Sequence, residues 1–197
     1  MDRDQVVELL YQALETEKGG QLVYETAVRC AVNEELKDEW KTYLDQTRRH
    51  EEIVLGVMET FGLDPEAPTP GRDVVRHLGE SLVAAMEMAR EAGDSDAAEI
   101  VACECVVLAE TKDHQNWELL GEVAEKLKGE EAKALKAAYA EVEDQEDEHL
   151  YHTSGWCREL WIQSLGMKAV LPPPEEEKDV KTAIGAERAK QQRAEML

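Results

Sequence analysis

Residues 144–149 read DQEDEH, and residues 45–50 read DQTRRH. In the first stretch Glu146 stands three residues before His149. On a helix that spacing is about 300° of rotation, so both side chains leave from one face. A carboxylate and an imidazole placed together suit a divalent first-row metal, iron or manganese among others. The second stretch keeps Asp, Gln and His50 at the same offsets, but Thr47 stands where the glutamate would be.

Two further glutamates fall into the same repeat. Glu17 is followed by Tyr24 and Glu25, and Glu110 is followed at equal spacing by Trp117 and Glu118. Each half of the chain thus reads Glu, then x-x-x-His. A second alignment, shifted by one residue, pairs LETEKGGQ with LAETKDHQ; the first preserves both Glu-to-aromatic spacings. A Glu from each of two helices can meet two such faces at the centre of a bundle. Buried carboxylates with no counter-charge cost of the order of several kcal/mol each, and divalent cations remove that cost.

Taken singly, each of these glutamates reads as a solvated surface residue on a chain with 44 acidic side chains. The ordered repeat is what turns them into a site. His77 and His152 lie outside it and read as non-ligands. Tyr24 and Trp117, about two turns beyond a candidate Glu, read first as aromatics filling a core, with electron transfer as the alternative. Trp156, Trp161 and Cys157 read as packing.

The elements that must position these residues are helices. Apolar residues at helical spacing (Val6, Leu10, Leu14, Tyr24, Val28) predict a first helix over about 3–31, with Gly19-Gly20 in its middle marking a close neighbour or a kink. Asn33 caps a second helix that runs through Trp40, Tyr43 and His50 to Phe61. FGLDPEAPTPG ends it. A helix of about 20 residues ends at Gly93, and Asp94 or Ser95 caps the next, which runs to about Lys128. The last long helix covers about Glu130 to Leu165, and three prolines in LPPPEEEK stop it. Two tight pairs joined by a long connection fit an all-α, ferritin-like four-helix bundle whose crossover contains an additional helix. The domain reading is a bundle over 1–168, then a Pro-rich linker and charged C-terminal tail over 169–197. Solvated disorder is the expectation for that tail, with a short helix as the alternative.

Composition narrows the function classes. With 44 acidic against 22 basic residues, the formal charge is −22. That field repels phosphate backbones, so no nucleic-acid partner is expected, and it attracts cations. No run reaches the roughly 18 apolar residues of a membrane span, and MDRDQVVELL lacks a secretory n-region, so a cytoplasmic protein is expected. The four cysteines form no CxxC and read as reduced, packed thiols.

Glu17 with Tyr24, His50, Glu110 with Trp117, and Glu146-x-x-His149 together resemble the ferritin-like superfamily, most closely the rubrerythrin-type di-iron carboxylate proteins. The resemblance covers roughly residues 5–165. It implies a non-haem site for two irons, with manganese as another occupant, that reacts with dioxygen or hydrogen peroxide or oxidises and stores iron; a single bound metal, or zinc without redox chemistry, is the other outcome. Glu17, Glu110 and Glu146 would be the carboxylate ligands, and His50 and His149 the terminal imidazoles.

Two departures from that family stand out. The rubredoxin-like module with paired CxxC motifs is absent, which points to an external electron donor. Thr47 leaves three glutamates, minus three against the plus four of two divalent ions. Asp113, three residues past Glu110, and His114, four past it, are the nearest compensating groups, ahead of Glu51. A 197-residue chain with an inserted crossover helix and a long tail looks less like a subunit of a storage cage, so a small homo-oligomer, a dimer first, is expected. The further alternative is a bundle whose site has decayed into a binding module.

Overall fold

The computed structural model describes residues 1–197 and consists of helices without strands. Five are long: α1 (Arg3–Cys30), α2 (Glu34–Phe61), α3 (Pro70–Glu91), α4 (Ser95–Lys126) and α5 (Glu130–Ser164). Two short ones follow, α6 (Pro174–Glu177) and α7 (Ala183–Gln192). No helix is long and apolar enough to cross a membrane.

Local chemistry fixes the ends. Asn33 accepts from the backbone N–H groups of Glu35 at 2.9 Å and Leu36 at 3.2 Å, which starts α2. Thr69 caps α3, whose first residue is Pro70. Asp94, rather than Ser95, caps α4 by accepting from Ala97 N–H at 3.1 Å. Such caps satisfy donors that have no partner within the helix, worth about 1 kcal/mol each. Gly62 closes α2 at φ +67°, a left-handed value that a Cβ disfavours.

α1 packs on α2, α2 on α5, α5 on α4 and α4 on α1, so these four rods close a ring. α3 lies outside the ring against α1 and α4. The Gly19-Gly20 pair allows part of this. A Cβ at Gly79 of α3 would stand 3.6 Å from the Cα of Gly19, and one at Gly20 would stand 3.3 Å from the Thr47 methyl. The glycines let two neighbours approach α1 closely, which is the first of the two readings above.

The core is divided. One apolar cluster joins the C-terminal half of α1 and the N-terminal half of α2 to α4 and α5, around Tyr24, Leu36, Trp40, Val106 and Trp156. The other lies at the opposite end, around Leu10, Leu14, Met58, Trp117 and Leu135. Each large side chain buried there contributes about 1.5–3 kcal/mol. The four cysteines are free; Cys30, Cys103 and Cys105 belong to the first cluster and Cys157 packs against it.

The sequence suggests a solvated tail, but residues 169–197 fold back on α5. Val180 and Ala189 are buried. Arg158 pairs bidentately with Glu175 at 2.6 and 2.7 Å. Arg193 donates to the buried Glu159 at 2.7 and 2.9 Å. Gly155 makes room: a Cβ there would lie 2.6 Å from Glu175 Oε2. The low apolar content is offset by these ion pairs, which a count of hydrophobic residues does not register.

Candidate metal centre

Between the two apolar clusters lies a belt of polar side chains, one or two from each rod of the ring. Glu17 comes from α1, His50 from α2, Glu110 and Asp113 from α4, and Glu146 and His149 from α5. None is more than 4% exposed. Ligand-type atoms of Glu17, His50 and Glu146 lie within 4.8 Å of one another, and so do those of Glu110, Glu146 and His149. Glu146 belongs to both sets.

The two histidines are held by reciprocal contacts. His50 Nε2 lies 2.7 Å from the side-chain oxygen of Gln145, and His149 Nε2 lies 2.7 Å from that of Gln46. Each glutamine belongs to one copy of the Asp-Gln-x-x-x-His repeat and holds the histidine of the other. An amide oxygen accepts, so each ring donates from Nε2 and keeps a bare lone pair on Nδ1. His50 Nδ1 faces Glu146 Oε1 at 2.9 Å and Glu17 Oε2 at 3.9 Å. His149 Nδ1 faces Glu110 Oε2 at 3.5 Å and Glu146 Oε1 at 3.7 Å. Lone pairs and carboxylate oxygens at such distances repel unless a proton or a cation lies between them.

The carboxylates are likewise short of partners. Glu17 Oε2, Glu110 Oε2, Asp113 Oδ1 and both oxygens of Glu146 are buried without a hydrogen bond. Burial, then the charges of Asp113, Glu146 and Glu110, push the Glu17 carboxyl well above its usual range, against a hydrogen bond from Trp117. That bond runs from Trp117 Nε1 to Glu17 Oε1 at 2.8 Å. Burial and the same acidic neighbourhood push Asp113 well up. Burial and Glu110 raise Glu146 to about 8, with His149 opposing. Burial holds His50 below its ordinary value. A site without cations therefore takes up protons.

The aromatics of the repeat serve the opposite glutamates. Trp117 of α4 bonds Glu17 of α1, and Tyr24 of α1 feels Glu110 of α4 as the largest influence on its phenol after burial. This crossed arrangement matches the alignment that kept the Glu-to-aromatic spacing.

The structure brings together Glu17, His50, Glu110, Asp113, Glu146 and His149. His114 stays outside: its Nε2 lies 2.7 Å from Asp147 Oδ1. Thr47 is 3% exposed, and its hydroxyl donates to the Tyr43 carbonyl at 2.9 Å, within its own helix. The Thr47 hydroxyl is thus engaged within its own helix, and the buried Asp113, which belongs to neither of the two ligand-atom sets, adds a fourth carboxylate to the belt. The role of Gln46 and Gln145 is new at this level; its trace in the sequence is the repeated Asp-Gln.

Compared with known families, curated proteins and solved structures, the chain matches none.

Proposed function

We propose that the protein is a ferritin-like, rubrerythrin-type metalloprotein that holds two divalent redox ions, iron first, and reacts with dioxygen or hydrogen peroxide. The reciprocal Gln46–His149 and Gln145–His50 contacts carry this reading, because they turn both Nδ1 lone pairs toward carboxylate oxygens that have no other partner. The donor set fits. Four carboxylates balance the charge of two divalent ions, and imidazole with carboxylate is the ligand chemistry of iron and manganese.

Glu17 and His50 would hold one ion and Glu110 and His149 the other. Glu146, common to both sets, would serve each, and Asp113 would complete the charge. The bound pair would supply the electrons that reduce dioxygen or peroxide. Trp117 fixes Glu17 through Oε1 and leaves Oε2 free. Gln46 and Gln145 fix the imidazole tautomers and ring planes, which tunes ligand strength. The apolar clusters on either side exclude bulk water along the bundle axis. The electrons would reach the pair from a donor outside the bundle.

Anaerobic loading with Fe²⁺ followed by desalting and metal analysis tests the reading. Two ions per chain are expected, with both lost or one retained in Glu146→Ala. Consumption of dioxygen or peroxide by the loaded protein tests the reaction. Failure to retain any metal overturns the proposal.

A further inference from the structure

A cavity of about 200 Å³ opens between α4, α5 and the start of α7, with Glu146 and Trp117 of the centre in its wall. Its lining includes Glu118, Glu143, Asp147 and His114, and no lysine or arginine. Thr182 and Ala183 of the returning C-terminal segment form another part of the wall.

The acidic groups form a gradient of burial. Glu118 and Glu143 are exposed. The side chains of His114 and Asp147 are only 14% and 16% exposed, and Glu146 is 1% exposed. An acidic cluster alone indicates no ligand, but here it leads to a fully buried carboxylate with both oxygens unpartnered. His114 adds a nitrogen donor part-way. Its Nε2 lies 2.7 Å from Asp147 Oδ1 and its Nδ1 lies 3.8 Å from Glu118 Oε2. A hydrated dication cannot lose its water shell in one step in an apolar channel. It can lose it in stages where each water is replaced by a carboxylate or imidazole.

We propose that this cavity is the route by which divalent cations reach the centre, with His114, Glu118 and Asp147 forming a transient relay site. The proposal rests on the reading of the belt as a metal centre. It gives His114 a place in metal traffic outside the permanent ligand set. A low-dielectric wall lined by one sign of charge concentrates cations and raises their rate of arrival by about 10- to 1,000-fold.

Stopped-flow loading with Co²⁺, followed by its absorption bands, tests the route without any turnover. The full-length protein is compared with Glu118→Gln/Asp147→Asn and with Glu34→Gln/Glu35→Gln on the far end of α2. Loading of the first variant is expected to slow about tenfold or more at low salt. Its end-point stoichiometry and spectrum should equal those of the parent, and the control pair should load at the parental rate. Ala183→Lys places a positive charge on the exposed rim without touching the acidic groups, so it tests the route even if the double variant folds poorly; it too should load more slowly. Parental rates in both variants overturn the route while leaving the centre intact. A parent that takes up no Co²⁺ at equilibrium overturns the centre, and the route with it.

Discussion

His149 of α5 is held 2.7 Å from the side-chain oxygen of Gln46 on α2, while His50 of α2 is held at the same distance from Gln145 on α5. The exchange clips the two helices together across the bundle and orients both imidazoles. It also accounts for the shared Gln of the two stretches, since each copy needs the glutamine of the other.

Replacing either glutamine should weaken the site without unfolding the chain. Gln46→Leu and Gln145→Leu keep the approximate volume but remove the acceptor that fixes the Nε2–H tautomer. Metal affinity is expected to fall about 10- to 100-fold in each. Equilibrium titration with Co²⁺ measures this, with helicity by circular dichroism as the control. Unchanged affinity would count against the tautomer argument.

Asp113 and Thr47 should behave oppositely. Asp113→Asn removes one of four crowded carboxylates, so the metal-free protein should gain about 0.5–2 kcal/mol while its metal stoichiometry falls. Thr47→Val should leave stoichiometry unchanged, because the hydroxyl bonds only the Tyr43 carbonyl. Thermal melts and metal analysis of the two variants check both statements.

Metal binding should replace protons. Glu146 is held at about 8 in the fold, above the ordinary value of 4.5. A raised carboxylate contributes stability that is fully present below the unfolded value and is lost as pH rises through the folded one. The metal-free protein should therefore lose stability between about pH 4.5 and 8 relative to Glu146→Gln. Loading should cancel that loss and release protons into weakly buffered solution. At a metal concentration 100 times Kd the gain is about 2.7 kcal/mol, or roughly 5–10 °C in Tm for a chain of this size. Melts across pH with and without Co²⁺ provide the measurement.

The returning C-terminal segment should respond to pH through Glu176. Burial and the nearby Glu39 charge raise its carboxyl to about 7, with His152 opposing. Glu39 also accepts from Trp156 Nε1 at 2.7 Å and from Tyr43 OH at 2.5 Å, so it remains in place beside Glu176. Because the folded value is raised, docking is strongest at acid pH and weakens as pH rises through about 7. Protection of the amides of residues 169–197, taken relative to their intrinsic exchange at each pH, should fall between about pH 4.5 and 7 in the parent and lose that fall in Glu176→Gln. Exchange rates that show the same pH trend in both proteins would remove Glu176 as the cause.

The sequence by itself determined the long helices, the long connection between their pairs, and five of the six residues in the belt as an ordered repeat. Helical periodicity and capping are local, so Asn33, Gly62 and Asp94 announce their boundaries without knowledge of the fold. Side-chain spacing along one helix is also local, which made Glu146-x-x-His149 legible. Which further carboxylate joins the buried belt was a matter of position across helices. Asp113 and His114 are neighbours in sequence, and only the packing of α4 on α1 and α5 turns Asp113 inward and leaves His114 beside Asp147. The glutamine exchange and the docked tail were decided in the same way. Each depends on partners between 17 and 103 residues apart, and contacts at such separations follow from how the helices pack rather than from any local pattern.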